Sequence, residues 1–167
     1  MKKILVLLLV LAPMSLFAQK FGYVNAPEIA QLMPEFAKAN NELQTLQKQY
    51  ADEYERMRTE LEKKGAEYEQ VKDSLPASIV QRRERDLQEL ITRMQEYEQA
   101  SYQNLQQAQQ QKLAEVNNKL QQAIQAVGRE GGYICVFDVA SGIPYISETL
   151  CENLDAKVKA KLGITAK

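Results

Sequence analysis

Asp73-Ser74-Leu75-Pro76 divides one long helical pattern into two arms. Aspartate and serine cap helix ends, and a proline fits the first turn of a returning helix. Upstream, from Pro34, the apolar positions are Leu43, Leu46, Tyr50, Tyr54, Met57, Leu61, Tyr68 and Val71. From Leu43 to Leu61 their steps are three, four, four, three and four residues, a helical seam with one stutter between Tyr50 and Tyr54. Lys64 takes a seam position with Gly65 beside it, a weak point in the arm. Downstream, a helix over 77–129 carries Val80, Leu87, Leu90, Met94, Tyr97, Leu105, Leu113, Val116, Leu120, Ile124 and Val127 on one stripe, and Gly131-Gly132 stops it. The glutamine-rich stretch 103–111 keeps leucine and alanine at helical spacing and reads as a solvated helix face. Two such arms joined by a short turn form an antiparallel hairpin, each arm about 60–75 Å long at about 1.5 Å per residue.

Further out, both flanks turn β-like. Phe21-Gly22-Tyr23-Val24 reads as a short strand, followed by Asn25 as N-cap and Pro27 in the first turn of a short helix. Pro34 forces Met33 out of helical geometry, so a break falls at Met33-Pro34. Tyr133 to Asp138 is apolar on both alternating faces, which predicts a strand buried on both sides. Ala140-Ser141-Gly142 reads as a turn, and Ile143-Pro144-Tyr145-Ile146 as a partner strand at a sheet edge, because proline cannot donate to a ladder. A final amphipathic helix over 152–162 buries Leu154, Val158 and Leu162, and Gly163 ends it. The predicted class is α+β, mainly α: a helical hairpin on a small β-body made by the two chain ends. The divisions are 1–18, 19–33 for the first strand and short helix, 34–129 for the hairpin with its turn near 73–76, and 130–167 for the remaining body. A two-helix hairpin cannot bury a thick core alone, so oligomerisation is expected.

Residues 1–18 read as a secretory signal: Lys2 and Lys3, an apolar run from Ile4 to Ala12, and Ala18 before a cut. The run is too short to span a bilayer comfortably. Lys+Arg number 21 and Asp+Glu 22; removing the two signal lysines leaves 19 against 22, a net charge of −3. No basic excess argues for nucleic acid. The sequence has no histidine, and so lacks the commonest general base and metal ligand. With no nucleophile motif, phosphate loop or ligand cluster, no enzyme and no cofactor are expected. Cys135 and Cys151 are an even pair in an oxidising compartment and a candidate disulfide, though not a Cys-x-x-Cys redox motif.

Taken in order, these segments resemble the Skp (OmpH-like) family of periplasmic chaperones over essentially the whole mature chain. The residues that carry the likeness are Gly22-Tyr23-Val24-Asn25, Ile134-Cys135-Val136-Phe137-Asp138, Ile143-Pro144-Tyr145-Ile146, and Leu154-Asp155-Ala156-Lys157-Val158 with Leu162. The resemblance implies a homotrimer whose short strands form a β-body, with helical tentacles around a cavity. Unfolded outer-membrane β-barrel proteins would be held there in the periplasm, without nucleotide. Body residues would include Tyr23, Val24, Ile134, Val136, Phe137 and Ile146. One departure is charge: well-known members are strongly basic, whereas this chain is mildly acidic. Arg82-Arg83-Arg85 is the best remaining basic patch for contact with a membrane surface, but Glu84 and Asp86 dilute it, and it reads first as a solvated helix face.

Holding an unfolded barrel calls for many weak apolar contacts that compete with aggregation. Tyrosine and methionine supply apolar area and adapt in shape. Tyr50, Tyr54, Met57, Tyr68, Met94, Tyr97 and Tyr102 are therefore candidate client contacts. The same periodicity equally serves packing of one arm against the other. The competing class is a structural or adaptor coiled coil of the cell envelope, which would show a fixed partner and no general affinity for unfolded barrels.

Overall fold

The structure, a computed structural model, describes residues 19–164; the expected signal at 1–18 lies outside them. The chain runs β1 (Lys20–Val24), α1 (Ala26–Leu32), α2 (Pro34–Val71), α3 (Ala77–Gly131), β2 (Tyr133–Asp138), β3 (Cys151–Asn153) and α4 (Asp155–Lys161). It divides into two compact units, Pro34–Val116 and the chain ends on either side of it.

In the first unit α2 and α3 run antiparallel. Tyr68 Oη meets Glu84 at 2.8 Å, Tyr50 meets Tyr97, and Lys112 Nζ meets Glu42 at 2.7 Å, so the partner's number rises as the α2 number falls. The seam positions Leu43, Leu46, Tyr50, Tyr54, Met57 and Leu61 are half-buried among mostly exposed neighbours, as the periodicity predicts. Between the arms, a single 3₁₀ turn at Lys72–Ser74 leads to Leu75 in extended geometry, which the following proline imposes. Pro76 O then accepts from Ile79 N and Val80 N at 2.9 and 3.1 Å and opens α3.

The second unit is built on a three-stranded sheet in the order β2-β1-β3, with both pairings parallel. Parallel neighbours need a long crossover, and between β1 and β2 the crossover contains the whole hairpin. One sheet face is covered by the unit's own helices. Val24, Ile29, Met33, Leu154 and Val158 are each 0–1% exposed there, joined by Leu120, Ala123 and Val127 from the last turns of α3. Gly22 is required at that face, because a Cβ would overlap the Leu154 side chain.

Carboxylates tie the two chain ends together. Asp138 Oδ1 accepts from Ala26 N at 3.2 Å and Ala140 N at 3.0 Å, and Asp155 Oδ1 accepts from Asn25 N at 2.9 Å. These bonds satisfy amides that open α1 and the turn after β2. Asn25 caps α1 and Met33 breaks it in extended geometry, both as expected. The αL glycine Gly132 stops α3 two residues later than the sequence suggests, with Gly131 still helical.

Three expectations need correction. Ile143-Pro144-Tyr145-Ile146 is not a strand; the third strand is Cys151–Asn153, and it pairs with β1, not β2. Pro144 offers no amide to a ladder. The final helix begins at Asp155, because Glu152 belongs to that strand. Strand β2 is not buried on both sides within the chain: it is an outer strand, and Ile134, beside the register shift at Lys20/Phe21, is 62% exposed.

Candidate functional site

The hairpin residues named as client contacts divide sharply. Met94 is 8% exposed and belongs to the seam. Tyr50 and Tyr97 pack edge-to-face on each other, with ring centroids 6.2 Å apart. Tyr68 donates to Glu84, and that bond raises its hydroxyl pKa above the ordinary tyrosine value. Tyr54 and Met57 are half-buried. Tyr102 is 63% exposed, its hydroxyl accepting from Gln106 Nε2 at 2.8 Å. Arm-to-arm packing thus takes four of the seven, and Tyr102 is left most open to solvent.

Sequence periodicity does not mark the apolar groove of this unit. A groove of about 710 Å³ runs along Pro34, Ala37, Asn41, Leu43, Thr45, Leu46 and Gln49 of α2 and reaches Ala108 and Lys112 of α3. Small residues at Ala37, Asn41 and Thr45 recur at a helical step beside the seam, and this was the available signal. The Lys112–Glu42 pair stands at its edge; the hydrogen bond from Lys112 holds the Glu42 carboxyl below its ordinary value. Arg82, Arg83 and Arg85 are exposed.

In the body, the expected assembly residues serve different ends. Val24 is buried in the chain's own core, and Val136 lies near Gly128 of α3. Phe137 stacks on Phe21, with centroids 6.3 Å apart, and Tyr23 lies beside it in register. Ile146 is half-buried in the irregular segment before β3. Ile134, Tyr145 and Leu150 are 62%, 78% and 77% exposed. Lys157 Nζ donates to Glu152 at 2.6 Å and Tyr133 Oη at 2.5 Å, and these bonds, that from Lys157 foremost, hold the Glu152 carboxyl below its ordinary value.

Cys135 and Cys151 are both free. Each stands opposite Phe21, one on β2 and one on β3, so β1 separates them. Two strand spacings place them about 9.5 Å apart, beyond the Cα separation of about 4.4–6.8 Å that a disulfide spans. The expected bridge is therefore not formed within the chain. Among the described residues no group of three or more His, Cys, Asp or Glu is placed to hold a metal ion, and no helix is long and apolar enough to cross a membrane.

This architecture, a helical hairpin joined to a small strand body from both chain ends, has known relatives. The chain matches the family described as outer membrane protein (OmpH-like) over residues 20–162, and it belongs to that family. A crystal structure of an OmpH-like protein of Caulobacter crescentus CB15, described as a candidate outer membrane chaperone, has the same fold. It aligns with a TM-score of 0.75 at 17% identity, covering 89% of this chain and 88% of the other. No curated protein sequence matches the chain.

Proposed function

We propose that this protein is an ATP-independent holding chaperone of the periplasm, which assembles as a homotrimer and keeps unfolded outer-membrane β-barrel proteins from aggregating. Membership of the OmpH-like family over residues 20–162 is the observation that carries this reading. The hairpin supports it physically. The α2 side of its seam carries half-buried aromatic and aliphatic residues, and a shallow apolar groove runs along the same helix. Such surfaces give weak, exchangeable contacts to an apolar client and need no single client shape. Tyr102, Tyr54 and Met57 are the client contacts we favour, with Phe137, Tyr23 and Ile134 on the side of self-assembly. Release follows when the membrane offers the client a more favourable place to bury the same surface.

The test is sedimentation of the mature protein, alone and with a urea-unfolded outer-membrane β-barrel diluted into it. A mass near three chains that gains one client, with the client still soluble, is expected. A discrete oligomer beside aggregated client would instead favour an envelope adaptor.

A further inference from the structure

The sheet has one covered face and one that the chain's own core leaves half-open. On the half-open face lie Phe21, Tyr23, Cys135, Phe137 and Cys151, all half-buried. Directly paired residues project to the same side of a sheet. Since Phe21 pairs with Cys135 on one flank and Cys151 on the other, the two thiols share that face. They also mark its two lateral ends, because β2 and β3 are the outer strands. They are the chain's two cysteines, and within one chain β1 keeps them apart.

A cyclic assembly of three copies joins unlike surfaces: one lateral end of a copy meets the opposite end of the next. We propose that in this assembly Cys135 of each copy bonds to Cys151 of its neighbour, so that disulfides close the ring covalently. The inference rests on the self-association and export of the reading above. The contact joins side chains and not a continuous backbone ladder, because Cys151 N already donates to Ser147 O at 2.9 Å. The exposed Ile134 and Leu150, next in sequence to the two cysteines, supply apolar surface at the same junction.

The chemistry is thiol–disulfide exchange with a disulfide-bearing oxidant of the compartment. One cysteine thiolate attacks the oxidant's S–S bond, forming a mixed disulfide and releasing one carrier thiolate. The neighbour's thiolate then attacks the protein-bound sulfur and releases the second carrier thiolate. Two cysteine protons and two electrons leave the protein, and the carrier disulfide is reduced to two thiols.

The experiment oxidises the mature protein with oxidised glutathione, alkylates remaining thiols, and compares non-reducing gels with sedimentation of the same samples. Expected is a ladder of covalent species ending at the size that sedimentation gives for the assembly. Cys135→Ser and Cys151→Ser variants alone should each give single chains. A mixture of the two, unfolded and refolded together, should give covalent dimers and nothing larger. Dimers from either variant alone would overturn the proposal, as would an internal disulfide in a single chain. An assembled protein with no covalent species overturns the bond alone. A monomer at every concentration overturns both the bond and the self-association on which it depends.

Discussion

Leu154 and Leu90 are both leucines with almost no exposed surface, 0% and 2%, yet their surroundings differ in kind. Leu154 sits where three distant parts of the chain meet. Its amide donates to Tyr23 O at 2.9 Å, its side chain fills the space that Gly22 leaves, and it opens α4. Leu90 lies on one stripe of a long helix, in the unit formed by α2 and α3. A cavity at the first is fenced by a sheet and helices held through backbone and carboxylate bonds. A cavity at the second can shrink, because two helices can shift toward each other. The cost of a core truncation follows how far its surroundings collapse. We expect Leu154→Ala to cost about 4 kcal/mol and Leu90→Ala about 2 kcal/mol, from opposite parts of the usual range. Urea unfolding of both variants at one protein concentration measures this. Equal losses would erase the distinction between the two units.

Asp138 sharpens the same contrast at smaller scale. Its carboxylate bonds two amides from separate segments, Ala26 and Ala140. On the hairpin, carboxylates mostly bond lysines and arginines three or four residues away on their own helix, such as Lys48–Asp52 at 2.7 Å. Removing a cap leaves amides without a partner, whereas an exposed ion pair is replaced by water. Asp138→Ala should cost about 1–2 kcal/mol, and Asp52→Ala should leave the unfolding midpoint almost unchanged. Asp138→Asn, which keeps an acceptor oxygen, should recover part of the loss. Equal behaviour of the two alanine variants would show that the body's carboxylates are no more structural than those of the arms.

The contrast also explains what could be read from the sequence. The hairpin is governed by spacing within a few residues, so Leu43 to Leu61, the Asp73–Pro76 turn and the stop at Gly132 were legible. The break at Met33 followed from one proline. The third strand was not legible: Cys151–Asn153 is three residues long and owes its state to pairing with β1, over a hundred positions away. Ile143–Ile146 looked more β-like but has no place in that sheet. Asp138 could be noticed as the end of a strand, but its bonds to Ala26 and Ala140 depend on tertiary approach. Spacing alone left Tyr50 and Tyr97 equally able to face a client or each other; their ring contact assigns them to the seam. The cysteine pair suggested a bridge by count, and the strand order set it aside within the chain.

Glycine provides the smallest and most pointed test. Gly65 lies inside α2, and a Cβ built there meets nothing within 4 Å beyond its chain neighbours and the backbone of its own helical turns. Gly22 lies in the central strand, and its Cβ would overlap Leu154. One substitution should therefore act with opposite sign in the two units. Gly65→Ala reduces the backbone freedom lost on folding and should stabilise by about 0.5–1 kcal/mol. Gly22→Ala forces the core apart and should destabilise by at least about 1 kcal/mol. Urea midpoints moving in opposite directions would support the division into a seam with spare room and a closely filled body. A destabilising Gly65→Ala would mean that the arm contains a close contact at that position. If Gly65→Ala stabilises and the protein still keeps an unfolded barrel soluble to the same extent, the glycine serves no bending needed for holding. If holding falls while stability rises, compliance at Gly65 belongs to the function.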